Sequence, residues 1–249
     1  MGAIWLGRAQ EMDDYDIARV AHEAGVSEDH IHAILDVECK GEGFDKRRRP
    51  AMLRERHIFY REIHPDFREE AVRRGLATPK WVRDYPVDSY PWLVEAYQLD
   101  ANAALRSCSW GLGQIMGFNH RVVGYDTVVA MVRAFADDEA NQLEAVKNFL
   151  VNNDLIDDLL AERWNVVAGT YNGPRYKVNN YHVRLKERYE WWKKKPDTPW
   201  TPALAREEEE TARDDPSYGD PNTLPKPPGG SIFQLLFRAI GNLFGGTTK

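Results

Sequence analysis

Ser27-Glu28-Asp29-His30-Ile31-His32-Ala33-Ile34-Leu35-Asp36-Val37-Glu38 is the stretch on which the reading of this chain turns. Ser27 is a good helix N-cap, Glu28 and Asp29 suit the positive end of a helix, and Ile31, Ile34 and Leu35 recur at steps of three and four. The pattern predicts a helix with an apolar stripe, ended by Gly41 and Gly43. Glu38 falls on that stripe. A carboxyl partly taken out of water there has its pKa raised and can hold a proton near neutral pH. On spacing alone the plainer reading is the better supported: a helix-end Glu that pairs with Lys40 or Arg54 and faces solvent.

Working outward, Ile17, Val20 and Ala21 recur at helical spacing between Tyr15 and Ala24, with Gly25 as a stop. The basic, mixed segment from Lys46 to Arg61 reads as a loop or short strand leading into a helix. Prolines and polar residues make Pro79 to Pro91 an irregular loop. Helical patterns resume over Trp92 to Leu105, Tyr125 to Phe135, Glu139 to Asn152, Leu155 to Trp164 and Val178 to Lys194. Glycine-rich or turn-rich segments separate them, notably Gly111 to Gly117 and Tyr171 to Arg175. The expected fold class is mainly α with minimal β.

After Lys195 the composition changes, with prolines at 196, 199, 202, 216, 221, 225, 227 and 228 and an acidic run from Glu207 to Glu210. Such a stretch cannot bury enough apolar surface to offset chain entropy. The expected organisation is a folded domain over 1–195, an extended Pro-rich acidic linker over 196–230, and an apolar segment over 231–249. Residues 231–244 read as a helix about 21 Å long at 1.5 Å per residue, too short for a bilayer core of about 30 Å. Its apolar surface points to docking on a protein partner or a membrane interface, or to packing on the domain itself.

The chain has 249 residues, 43% of them hydrophobic, and a formal net charge of -6, so one sizeable core is expected and the clustered positive field of a nucleic-acid binder is absent. Eight Trp and eleven Tyr exceed what a core needs, and flat aromatic faces can hold sugars. Cys39 and Cys108 are too few for a disulfide scaffold and read as small buried thiols, with a bridge between them left open. The start, MGAIWLGRAQEMDDYD, has no basic region followed by a cleavage site, which predicts synthesis in the cytoplasm without a secretory signal. No cofactor is implied. No cluster at metal-ligand spacing appears, and His57 and His120 read as structural histidines.

Two further segments bear on Glu38. Ser109-Trp110-Gly111-Leu112-Gly113-Gln114-Ile115-Met116 joins glycines, which allow close backbone approach, to an amide able to bond sugar hydroxyls. Tyr171-Asn172-Gly173-Pro174 places a phenol and an amide just before a turn. Alone, each is a common loop.

Taken with Ile34-Leu35-Asp36-Val37-Glu38, these segments resemble, in chain order, the lysozyme-like superfamily of goose-type lysozymes and soluble lytic transglycosylases. More narrowly, Arg56-His57-Ile58-Phe59-Tyr60, Ser109-Trp110-Gly111-Leu112, Ile115-Met116-Gly117-Phe118-Asn119-His120 and Tyr171-Asn172-Gly173-Pro174 resemble the N-acetylmuramidase family of phage endolysins and prophage lysis proteins. The resemblance covers roughly residues 15–192. It implies a two-lobed lysozyme-like domain that acts on the peptidoglycan glycan strand, with Glu38 as general acid and Glu55 as candidate second carboxylate. Ser109, Trp110, Gln114, Met116, Asn119, Tyr171 and Asn172 are the substrate-binding candidates. Cys39-Lys40-Gly41 departs from the family's commoner Ser-Gly-Gly after the acid.

Glu55 is flanked by Arg54 and Arg56, so a plain surface ion pair rivals its catalytic reading. Asp36 and Asp45 are weaker candidates for the same role. The function expected is hydrolysis of the β-1,4 bond between N-acetylmuramic acid and N-acetylglucosamine, with action in the periplasm or wall after release, or delivery by a phage particle or secretion machine. A lytic transglycosylase giving 1,6-anhydro ends needs no second carboxylate and is the nearest rival. A non-catalytic wall-binding or phage-tail component is the third reading, disfavoured because a binding module has no use for a buried acid.

Overall fold

Asp13 and Asp16 begin the first helix by reciprocal capping: the Asp13 carboxylate accepts from the Asp16 N–H at 3.1 Å, and the Asp16 carboxylate accepts from the Asp13 N–H at 3.2 Å. Helix α1 (Asp14–Ala24) stops at Gly25, which takes a left-handed conformation with φ +74°. Helix α2 (Glu28–Glu38) follows at once. The structure, a computed structural model, describes residues 3–38, 42–174 and 176–204.

Helix α2 is buried on every side from His30 to Val37, not along one stripe. The reason lies in what surrounds it: α1 packs on one side and α11 (Tyr181–Trp192) on another. Its polar residues are each taken up by a partner. The ring nitrogens of His30 meet the Ser27 hydroxyl at 2.8 Å and the Leu159 carbonyl at 3.1 Å. His32 stacks on Trp192 with ring centroids 3.8 Å apart, and burial lowers its pKa to about 3, so it is neutral. Asp36 accepts hydrogen bonds from Arg188 at 2.6 Å and from the Trp192 indole at 2.8 Å. These contacts spend Asp36 on bracing α2 against α11, which removes it as a candidate second carboxylate.

Three short antiparallel strands form the β component: β1 (Met52–Arg54), β2 (Cys108–Trp110) and β3 (Ile115–Met116), in the order β1-β2-β3. Leu53 faces Ser109 across the first pair, and Ser109 faces Met116 across the second. The sheet therefore sets the residue next to Glu55 beside Cys108 and carries the Gly111–Gln114 turn at one end.

The remaining helices are α3 (Arg56–Glu62), α4 (Arg68–Arg73), α5 (Tyr90–Leu99), α6 (Ala101–Arg106), α7 (Val128–Asp137), α8 (Glu139–Asn152), α9 (Ile156–Leu160) and α10 (Trp164–Asn172). The single helix expected over Trp92–Leu105 is two, because Asp100 leaves the helical backbone and caps the Ala103 N–H at 2.9 Å. Helix α7 starts later than Tyr125, where Thr127 caps the Ala130 N–H at 3.1 Å. The span expected as Leu155–Trp164 breaks after Leu160, with Glu162 left-handed at φ +51°, and Trp164 opens α10. Tyr171 and Asn172 are the last two residues of α10, not part of a turn. Helix α4 and, beyond Trp164, helix α10 went unforeseen.

Beyond residue 195 the described chain lies along the domain. The Thr198 N–H donates to the Glu28 carboxylate at 3.1 Å, and the Trp200 ring sits 5.1 Å from that of His22. Of the linker expected over 196–230 only residues 196–204 are described; the rest of it and the apolar segment over 231–249 lie outside the described residues. Among the described residues no helix is long and apolar enough to cross a membrane.

Candidate active site

Glu38 ends α2 half-buried, and burial raises its pKa to about 8, only partly offset by the nearby Arg184 guanidinium. Its carboxyl group accepts a hydrogen bond from the Tyr181 hydroxyl at the start of α11. Arg184, one turn on, donates to the Val37 carbonyl at 3.1 Å and so holds the end of α2 from the same side. The plainer reading of Glu38 as a partner of Arg54 does not hold, since Arg54 is bonded to Asp84. Lys40 and Cys39 lie outside the described residues. A carboxylic acid protonated at neutral pH and fixed by a phenol can act as a proton donor.

The Gly111–Gln114 turn is held in a strained backbone. Gly111 has φ +66° and Gln114 φ +47°, the latter uncommon for a residue with a side chain. Gln114 is kept there by its own amide, which donates to the Gly111 carbonyl at 2.9 Å and accepts from the Ser109 hydroxyl at 2.8 Å. Tyr171 donates to the Gly113 carbonyl at 2.9 Å, so Ser109, Gln114 and Tyr171 form one hydrogen-bonded group about this turn. Met116 and Asn119 are half-buried just beyond it, and Asn172 is exposed at the end of α10. Trp110 does not reach a surface: it is 0% exposed and its indole N–H is bonded to the Leu105 carbonyl at 3.0 Å. The expectation that it contacts substrate is corrected on that ground; as the last residue of β2 it packs into the core.

Two residues the sequence reading passed over tie Glu38's downstream loop to this turn. Glu139, buried at the start of α8, accepts from the Gly43 N–H at 2.6 Å and from the Met12 N–H at 3.2 Å. Gln142, one turn on and fully buried, accepts from the Leu112 N–H at 2.7 Å. A Cβ on Gly43 would lie 2.4 Å from oxygens of both side chains, and one on Gly111 would lie 2.5 Å from the Gln142 oxygen. Both glycines are therefore demanded by close approach. Burial raises the Glu139 pKa to about 7, with the two backbone donors opposing. The only sequence signal was a charged and an amide side chain at the start of a strongly periodic helix, which also describes an exposed helix end.

Glu55 precedes α3, with its backbone N–H on the Ser107 carbonyl at 3.1 Å. Its carboxylate accepts from the Tyr85 hydroxyl at 2.8 Å and lies 3.2 Å from the His57 ring. Both flanking arginines turn to Asp84. A phenol and an imidazole face the Glu55 carboxylate. Asp45 is spent on Arg49 at 2.6 Å, and the His120 ring meets the Gly117 carbonyl at 3.0 Å. Cys108 is a buried free thiol with its pKa raised by burial. Among the described residues no group of three His, Cys, Asp or Glu could hold a metal ion.

Residues 27–193 match the family model described as Muramidase: N-acetylmuramidase. Among solved structures, the chain is similar to the crystal structure of Burkholderia AP3 phage endolysin, at 33% identity and a TM-score of 0.67, covering 75% of this chain and 73% of that one. No match was found among functionally curated proteins. With its helical majority and small three-stranded sheet, the fold is lysozyme-like.

Proposed function

Since the chain belongs to the N-acetylmuramidase family and is a lysozyme-type glycoside hydrolase of peptidoglycan, we propose that it hydrolyses the β-1,4 bond between N-acetylmuramic acid and N-acetylglucosamine. Glu38 is the proton donor in this reading. The observation that carries it is a helix-end carboxyl whose burial raises its pKa to about 8, so that it enters the reaction protonated at neutral pH. Glu55 is the second carboxylate, acting on the water or on the oxocarbenium-like charge at the sugar ring. Gln114, Tyr171 and Asn172 line the glycan path, with Ser109 holding Gln114 in place. The similarity to a phage endolysin supports a bacteriolytic role, in which the protein reaches the host wall on release or on a phage particle.

The test is digestion of purified peptidoglycan by the wild type and by Glu38→Gln, with mass analysis of the released muropeptides. The proposal expects reducing N-acetylmuramic acid ends from the wild type and a loss of about 10² to 10⁴ in rate for the variant, the usual worth of a general acid. Anhydro ends would identify a transglycosylase, and no release would identify a binding component.

A further inference from the structure

The loop between Thr78 and Asp88 is pinned at several points yet displays two aromatic side chains. Its Thr78 N–H donates to the Arg56 carbonyl at 3.3 Å. Asp84 takes Arg54 through its carbonyl at 2.6 Å and both arginines through its carboxylate. Asp88 accepts from Arg49 at 3.2 Å and from the Tyr90 N–H at 2.9 Å. The loop is thus clamped by residues on either side of Glu55. Between the clamps, Trp81 and Tyr85 remain 41% and 38% exposed. The Trp81 indole N–H donates to the Tyr85 oxygen at 3.2 Å, and the Tyr85 O–H donates in turn to Glu55 at 2.8 Å.

We propose that Trp81 and Tyr85 form a saccharide platform on the Glu55 side of the site, on which an N-acetylated pyranose ring of the glycan strand rests. The inference deepens the muramidase reading and rests on it. On this anchored loop both rings keep about two-fifths of their surface open, and their polar edges are linked in a chain that ends on Glu55. What they offer is a flat apolar face with a polar tip, which suits the C–H face of an uncharged sugar and its hydroxyls. Within the loop, Asp84 is paired with Arg54 and Arg56, so the carboxylate nearest the two rings is neutralised. Tyr85 has a second role as a positioning residue: its pKa is raised to about 12 by burial and by Glu55, so it remains a donor that orients that carboxylate.

The two roles separate kinetically on the full-length protein, with solubilised, uncrosslinked peptidoglycan strands as substrate. For Trp81→Ala, KM should rise about 3- to 10-fold, the range that loss of one aromatic contact produces, with kcat changed less than KM. Trp81→Phe keeps a ring and should recover most of that loss. Tyr85→Phe keeps its ring but not the O–H, so kcat should fall more than KM rises. A KM for Trp81→Ala within twofold of the wild type overturns the proposal, as does a Trp81→Phe variant no better than Trp81→Ala with both equally lowered in melting temperature. A wild type that releases no muropeptides would instead overturn the muramidase reading beneath it.

Discussion

The Glu139 carboxylate accepts the Gly43 N–H at 2.6 Å, joining the first turn of α8 to the loop that leaves the Glu38 helix. With Gln142 on the Leu112 N–H at 2.7 Å, one helix turn holds the backbone on both sides of the site. An unpaired buried donor costs about 1 to 3 kcal/mol. Glu139→Gln turns one acceptor into a donor facing Met12 or Gly43, and should lower stability by about that amount while reducing wall digestion. Gly43→Ala, whose Cβ would lie 2.4 Å from Glu139 and Gln142 oxygens, should do the same by displacing both. Thermal melts alongside digestion rates check this; unchanged values in both variants would show that α8 does not shape the site.

Tyr181→Phe removes the donor to Glu38 while keeping a ring in its buried place. A hydrogen bond to a carboxylate favours its ionised form, so loss of the phenol should push the Glu38 pKa above about 8 and move the alkaline limb of kcat upwards. The maximal rate should fall about 10-fold as the acid loses its fixed orientation. The pH dependence of kcat is the measurement, and an alkaline limb that stays in place removes Tyr181 from the proton inventory.

The raised pKa of Glu38 also makes a prediction about stability. In the unfolded chain its pKa is near the ordinary 4.5, and in the folded protein it is about 8. Between these values the folded state holds a proton that the unfolded state has released, so stability contributed at this site falls as pH rises from about 4.5 to about 8. Each unit of difference is worth about 1.4 kcal/mol. Glu38→Gln cannot ionise, so its melting temperature relative to the wild type should climb across that window and level off above it. Melts at pH 5 and pH 9 suffice. An equal difference at both would mean that Glu38 titrates normally.

Glu55→Gln should lose most activity, with binding of the glycan strand retained, if the second carboxylate acts on water or on developing positive charge. Because the terminal nitrogens of Arg54 and Arg56 are held by Asp84, the substitution leaves both ion pairs in place, and folding should be little disturbed. Equilibrium binding measured beside turnover separates the two effects. Full activity would return Glu55 to a structural role and favour the transglycosylase outcome.

Local chemistry was enough to find the helices that begin and end on their own residues. Helix α8 runs over the expected Glu139–Asn152, and α1 begins one residue ahead of Tyr15 because Asp13 and Asp16 cap each other and Gly25 closes the other end. Breaks whose cause is a single side chain, such as Asp100 between α5 and α6, were hidden because an Asp inside an apolar pattern reads equally well as a solvent-facing residue. The family was legible for a different reason: spaced motifs at 34–38, 109–116 and 171–174 keep their order whatever the fold around them.

The site shows the same division. From the sequence alone, Glu38 could be placed on an apolar stripe, and Gln114 and Tyr171 could be named. Tertiary structure decided what each one faces. Tyr181 is 143 residues away from the carboxyl it bonds, Glu139 is 96 residues from Gly43, and Arg54 turns to Asp84. Hydrogen-bond partners so far apart leave no period in the chain, because period reports only which face of an element is buried. The identity of the group across the gap, and with it the proton affinity of a carboxyl, is fixed by how helices and loops pack.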